Sequence, residues 1–402
     1  MTPEQLIKET DRCVKCGLCL PHCPTYRLTR DEGDSPRGRI ALIQALASGD
    51  LDTPRLARHL DRCLGCRTCE PACPSGVNYG NVIDAARALE GRYNSRRHRR
   101  LLALLARLPY WHGSLSLLRL YQRSGIRWLM RCLSGRRLRR LDDMLPDIGT
   151  TTTFCTTLPG RESSDSGDNS RVALFTGCVG RISDHPAIQA TLEVLPRLGI
   201  SVAIPEHQGC CGAMHQHNGF PERALDLARA NSKAFTDPGT HTVIYLASGC
   251  GAQLVDYDCL GTPLGAPVME ICHYLEASGL AAALPLAPID RRVVVHTPCS
   301  LRYPLQGGDW VMRLLRRIPG IDLRPLQDTG CCGAAGTYVL TQPEIADQLR
   351  QVTLEAINEE QPQILVTSNT GCAMHLAAGL KQQGSHVEVL HPIQLILRQM
   401  VL

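Results

Sequence analysis

No stretch of this chain approaches 18 uncharged apolar residues, so no membrane-crossing helix is expected. The N-terminus, MTPEQLIKETDRC, lacks the apolar core of a secretory signal, and a reducing, cytoplasmic location is expected. Also missing is a G-x-G-x-x-G run after a strand-like segment. Gly330, Gly333 and Gly336 are wrongly spaced for it and belong to a cysteine-bearing turn. The chain therefore offers no dinucleotide or flavin fingerprint. Residues 91–141 contain no Asp, Glu or Lys but fourteen arginines. The net charge of +5 is thus owed to one local belt, and the remainder is acidic.

What the chain has in quantity is cysteine, twenty in 402 residues. In a reducing compartment these serve as metal ligands rather than as a disulfide framework. Eight fall into two copies of one pattern. CVKCGLCLPHCP carries Cys13, Cys16, Cys19 and Cys23 before Pro24, and CLGCRTCEPACP carries Cys63, Cys66, Cys69 and Cys73 before Pro74. Each is C-x2-C-x2-C-x3-C-P, the two-cluster ferredoxin run, in which the fourth cysteine ligates the other cluster. Zinc favours paired C-x2-C or Cys/His sets, which these identical runs are not. One [4Fe–4S] cluster is therefore assigned to Cys13, Cys16, Cys19 and Cys73, and a second to Cys63, Cys66, Cys69 and Cys23. Gly17 and Gly65 are expected to let backbone N–H groups approach sulfur, and Pro24 and Pro74 to steer the chain away.

Ile40, Ile43 and Ala47, with Leu42 and Leu46, recur at helical spacing between the runs. Residues 1–90 are accordingly read as a helical ferredoxin domain. Residues 91–141 are read as two amphipathic, arginine-rich helices broken near Pro109 and Gly113. A mobile linker over 142–170 is expected from its Thr, Ser, Asp and Gly content. Cys132 and Cys155 lack ligand spacing and are read as bystanders.

The rest is an internal repeat. VALFTGC ends at Cys178, GCCG holds Cys210 and Cys211, and VIYLASGC ends at Cys250. VVVHTPC ends at Cys299, GCCG recurs at Cys331 and Cys332, and ILVTSNTGC ends at Cys372. The first cysteine precedes the vicinal pair by 32 residues in both copies. Short β-rich runs alternate with helical stretches, which predicts parallel α/β layers over 171–285 and 286–402. The fold class is thus α/β, a helical two-cluster ferredoxin domain followed by two Rossmann-like CCG domains. The cysteines follow the strands, where open α/β sheets bind ligands. One metal or redox site per copy is expected, from Cys178, Cys210, Cys211 and Cys250 and from Cys299, Cys331, Cys332 and Cys372. His207, His215, His217, His296 and His375 lie nearby as candidates to complete a site or move a proton.

These runs, together with CPTY, DSPRGRI, HLDRCLGCRTCEPACPSGV, ASGCGA, GCCGAAGTY and GC-x-x-H at Cys372 to His375, resemble the iron–sulfur subunits of bacterial glycolate oxidases. The likeness spans nearly the whole chain and is least over the arginine belt and linker. It implies an electron-relay subunit that takes electrons from FAD-containing partner subunits oxidising glycolate and passes them to a quinone-type acceptor. A wider group shares the CCG repeats, and its alternative is a lactate, glycerol-3-phosphate or heterodisulfide-type redox subunit with catalysis in its own CCG sites. Heterodisulfide-type domains with non-cubane clusters end in C-x-x-C. Here Gln253 and His375 stand where that fifth thiolate falls, which argues against such clusters. The arginine belt has no base-reading motif beside it, so nucleic acid is not an expected partner. Basic helices with Trp and Leu suit peripheral contact with an anionic membrane.

Overall fold

The computed structural model describes residues 1–90, 102–103, 114–133, 136–145, 171–237 and 239–401. The first 90 residues form helices α1 (Pro3–Thr10), α2 (Pro24–Thr29), α3 (Pro36–Ala47), α4 (Pro54–Asp61) and α5 (Tyr79–Leu89), with a 3₁₀ turn at Glu32–Asp34. Four of these helices begin with proline, whose missing N–H is no loss in a first turn. Thr2, Ser35 and Thr53 cap α1, α3 and α4 through their hydroxyls. Pro24 thus has two tasks, ending the first cysteine run and starting α2. Leu6, Ile43, Leu56, Leu60, Val82 and Ile83 make a small, fully buried core. Each such side chain contributes about 1.5–3 kcal/mol on burial.

In the arginine-rich segment the described residues form three helices, Ser114–Arg123, Gly125–Leu133 and Arg136–Met144. The stretch after Gly113 is therefore more finely divided than its periodicity suggests. The break expected near Pro109 lies outside the described residues, as does Cys155. The last helix runs past residue 141, and its buried Asp142 accepts from Tyr121 Oη at 3.0 Å and Arg127 Nε at 3.1 Å. Beyond residue 145 the expected linker also lies outside the described residues.

Each repeat copy builds a four-stranded parallel sheet. Strands β1 (Arg171–Phe175), β2 (Ser201–Ala203), β3 (Thr242–Tyr245) and β4 (Val268–Glu270) lie in the order β2-β1-β3-β4. Strands β5 (Arg292–Val295), β6 (Asp322–Pro325), β7 (Ile364–Val366) and β8 (Glu388–Leu390) repeat it as β6-β5-β7-β8. β1, β5 and β7 are buried along most of their length, as expected of strands covered by helices on both faces. The two sheets share one core, in which Val172 and Leu174 join Val293, Val295 and Ile364 through packed helices His185–Arg197 and Pro392–Gln399.

The helical domain sits on the repeats. Asp84 accepts from His217 Nδ1 at 2.9 Å, Arg87 donates to the His217 carbonyl at 3.0 Å, and Tyr338 Oη donates to the Arg62 carbonyl at 2.9 Å. Gly219 takes a left-handed φ of +79° here, and an added Cβ would fall 2.6 Å from the Arg87 carbonyl oxygen. Only glycine meets both demands.

Candidate iron–sulfur and CCG sites

In both cysteine runs the backbone turns left-handed at the same two places. Lys15 and Gly17 in the first run correspond to Gly65 and Arg67 in the second, with φ between +56° and +86°. Alternating hands in this way turns successive side chains and N–H groups toward one centre, a concavity suited to anions. The non-glycine residues Lys15 and Arg67 carry backbone strain, of a kind that gathers at functional sites.

The runs line two adjoining cavities. Cys13, Cys16, Cys19 and Cys73 line the first, and Cys23, Cys63, Cys66 and Cys69 line the second. Cys69, Pro36 and Tyr79 face both and form the shared wall. Among the described lining residues there is no acid. Lys15 and Arg37 line the first cavity, Arg39 and Arg67 the second. Four thiolates and an anionic polyatomic centre suit such walls, so the donor set fits a [4Fe–4S] group in each.

The two cavities differ in polarity. Around the second, Thr68 Oγ1 donates to Cys66 Sγ at 3.2 Å and Gly65 N–H to Cys63 Sγ at 3.5 Å. Thr25 Oγ1 lies 3.3 Å from Cys23 Sγ, and Arg39 Nη1 and Tyr79 Oη reach Cys23 and Cys63 at 3.9 Å. Arg39 is 1 % exposed. Around the first, the Arg37 backbone N–H serves Cys19, whose thiol burial pushes up, and Cys16 is exposed. The Arg37 side chain is paired with Glu32 at 2.7 Å. Arg37 and Arg39, two residues apart on α3, thus serve different cavities. Neither was singled out by sequence reasoning, although both lie within the DSPRGRI run.

The repeat cysteines all follow strands at the same sheet edge. In the first copy Cys178 Sγ lies 3.5 Å from Cys210 Sγ, and the Gly212 N–H also points at Cys210. Hydrogen bonds from Cys178 and Cys211 hold Cys210 far below the usual thiol range, while the hydrogen bonds with Cys210 and then Cys250 push Cys211 up. In the second copy Cys299 and Cys331 are 3.9 Å apart, and Cys332 and Cys372 are 3.0 Å apart. Asn369 Nδ2 donates to Cys372 Sγ at 3.3 Å.

The five candidate histidines part company. His207 is exposed and His217 binds Asp84 across the domain contact. His215 is buried near Cys210. His375 is buried against the Ala346 carbonyl, 3.3 Å from Nε2. His296 alone stands in a compact donor group, with a ring nitrogen, Cys332 Sγ and Cys372 Sγ all within 4.8 Å of one another.

The second cysteine run meets the second copy directly. Leu64 packs with Cys331, Tyr338 and Val339, and Cys66 and Cys299 border the same cluster. Burial, then the neighbouring Cys299, pushes the Cys66 thiol up. Cys132 is exposed.

The 4Fe-4S dicluster domain family matches residues 9–77, and the Cysteine-rich domain family matches 172–255 and 293–377. The glycolate oxidase iron-sulfur subunit of Escherichia coli is 33 % identical over 394 residues, covering 93 % of this chain and 91 % of that protein. A probable glycolate oxidase iron-sulfur subunit of Bacillus subtilis is 32 % identical, covering 96 % of this chain and 93 % of that protein. Lactate utilization protein A of Geobacillus thermodenitrificans is 28 % identical but covers 55 % of this chain and 96 % of its own length. It therefore covers little more than half of this chain, whereas the first two match along more than nine-tenths of it. With the paired runs, the two CCG sheets and likeness along nearly its full length, this chain belongs to the glycolate oxidase iron–sulfur subunit family.

Proposed function

We propose that this chain is the electron-relay subunit of a 2-hydroxy-acid oxidase acting on glycolate, with a quinone-type acceptor. The observation that carries the reading is the pair of thiol-lined cavities with a common wall, each drawing cysteines from both runs. Cys13, Cys16, Cys19 and Cys73 would hold one [4Fe–4S] cluster, and Cys63, Cys66, Cys69 and Cys23 the other. Bound there, such clusters supply one-electron transfer, with potentials set by hydrogen bonds to sulfur, net charge and exposure. Removal of a hydride from a hydroxy acid is flavin chemistry. The chain has no flavin fingerprint, so FAD-containing partner subunits carry that step. The exposed rim at Val14, Cys16 and Leu18 offers an approach to the first cavity. The second lies deeper, behind Arg39 and Tyr79. The repeat cysteines are read as one further metal or redox site per copy. The units are taken to be residues 1–90, 91–141, 142–170, 171–285 and 286–402.

Purified anaerobically, the chain is expected to be brown with about eight irons in cubane clusters. With its flavoprotein partners, glycolate should bleach the visible absorbance. Colourless protein, or a complex that another hydroxy acid bleaches while glycolate does not, would refute the reading.

A quinone acceptor resides at a membrane, and the arginine-rich helices carry a surface for reaching one. No helix among the described residues is long and apolar enough to cross a bilayer. Leu117, Leu120, Ile126, Trp128, Leu129 and Met130 are nevertheless exposed, on helices that also carry Arg119 and Arg123. Apolar and cationic side chains together suit an anionic headgroup layer. The chain is expected to sediment with anionic vesicles at low salt, less so at high salt, and not with neutral ones. Absence of sedimentation at low salt would eliminate peripheral docking on the inner face of the cell membrane.

A further inference from the structure

The two repeat copies are alike in fold and thiol spacing but place their histidines differently, the first having His215 beside Cys210. Three residues before its first cysteine, the second copy has His296 and the first has Phe175. Phe175 packs on Phe235, with ring centroids 5.9 Å apart, and offers no ligand atom. His296 is 5 % exposed and stands among Cys332 and Cys372, themselves 2 % and 3 % exposed.

We propose that the second copy holds a single zinc ion through His296, Cys332 and Cys372, with a fourth thiolate from the Cys299–Cys331 pair. This rests on the reading that the repeat thiols bind metal, and it is independent of the electron relay. Cys₃His is a structural zinc set, with Zn–S near 2.3 Å and Zn–N near 2.0–2.1 Å. Tetrahedral angles then place donors about 3.5–3.8 Å apart. The three atoms already lie within 4.8 Å of one another, so closing on an ion takes shifts of about 1 Å, including a slight opening of the 3.0 Å Cys332–Cys372 pair.

Supporting contacts are also in place. Thr367 Oγ1 lies 2.9 Å from His296 Nδ1, which leaves Nε2 as the nitrogen available for a metal. Asn369 Nδ2 donates to Cys372 Sγ. Metal-bound histidines and thiolates have outer partners of this kind, which set the ring's tautomer and orientation. The donors come from the ends of β5 and β7 and from the turn after β6, so one ion would tie three loops together. Cys66 and Leu64 pack with Cys331 and Cys299, the pair that would give the fourth thiolate. The site would therefore brace the loop of the second cluster cavity. Zinc has no redox chemistry. Thiol-based electron chemistry in the repeats would then be confined to the first copy.

The test uses the full-length chain, purified anaerobically, with zinc and iron measured by mass spectrometry and zinc X-ray absorption. About one zinc is expected beside about eight irons, with both sulfur and imidazole scattering. His296→Ala is expected to weaken zinc retention against a chelator at least tenfold while iron content and the cubane EPR signals stay unchanged. His296→Cys should retain zinc with an all-sulfur shell, which keeps the test decisive if the alanine variant folds poorly. Zinc without imidazole scattering, or His296→Ala holding it as tightly as the unsubstituted chain, would overturn the histidine assignment alone. If both copies lack any metal, the metal reading of the repeats falls with it. The eight-iron result decides the relay separately.

Discussion

Replacing Cys23 with serine is expected to remove about half of the iron, from about eight atoms per chain to about four. The lost cluster should be the one associated with Cys63, Cys66 and Cys69, although Cys23 belongs to the other run. The reason is the exit of the first run. Cys23 ends its loop at the start of α2 and is buried facing Arg39 and Thr25, on the second cavity. Cys73 makes the reciprocal crossing into the first cavity. Cys23→Ser and Cys66→Ser should therefore delete the same EPR signal, and Cys73→Ser and Cys16→Ser the other. If Cys23→Ser and Cys16→Ser instead delete the same signal, the crossed ligation is wrong. Because ligation and folding are coupled, the Cys23 variant should also melt earlier, its small helical core having lost a cross-link between α2 and the loop before α5.

Arg39→Gln is expected to lower the midpoint potential of the second-cavity cluster by on the order of 100 mV, with a much smaller shift at the first. Reduction adds a negative charge to the cluster, and a fixed cation beside it favours that charge. A unit charge about 5 Å away is worth about 3 kcal/mol at an effective dielectric constant of ~20, which corresponds to that shift for one electron. Arg39 is held for this role. Its Nε donates to the His59 carbonyl at 2.7 Å, its Nη2 to Thr25 Oγ1 at 3.1 Å, and Asp34 lies 3.5 Å away. In the variant Asp34 keeps Arg62 and His59, both at 2.9 Å, so the substitution does not strand a buried carboxylate. Arg37 is a natural contrast, because it is more exposed and lines the first cavity instead. Arg39→Lys retains the charge and should shift the potential less than Arg39→Gln. EPR-monitored redox titration reads both clusters at once. Equal shifts at the two clusters, or none, would sink the assignment. The unsubstituted chain should show the second-cavity cluster at the higher potential, which directs electrons from the exposed first cavity inward.

The thiol pattern was legible in the sequence because a cluster's needs are local. Three ligands must come from one tight loop, so their spacing is written in consecutive residues. The repeat was legible for a related reason, since apolar runs ending in cysteine mark strand ends wherever a parallel sheet is built. The periodicity of the arginine belt announced helices but not their division into three short ones, which meet where Asp142 accepts from Tyr121 and Arg127.

Other features were beyond one-dimensional reading. Arginine is ordinarily a surface residue, and nothing in DSPRGRI says that Arg39 is fully buried while Arg37, two positions earlier, is not. Five histidines near the CCG turns looked equivalent, yet only His296 joins Cys332 and Cys372, because β5 and β7 are hydrogen-bonded neighbours although some 70 residues apart in the chain. The sequence by itself therefore determined the iron–sulfur class of this chain, the spacing of its eight run thiols and that two α/β copies follow. Tertiary structure alone decided which cation faces which cavity, which histidine joins Cys332 and Cys372, and which copy abuts the second cysteine run. Ligand type and loop spacing are properties of neighbouring residues, whereas charge environment and donor convergence arise only when distant elements pack.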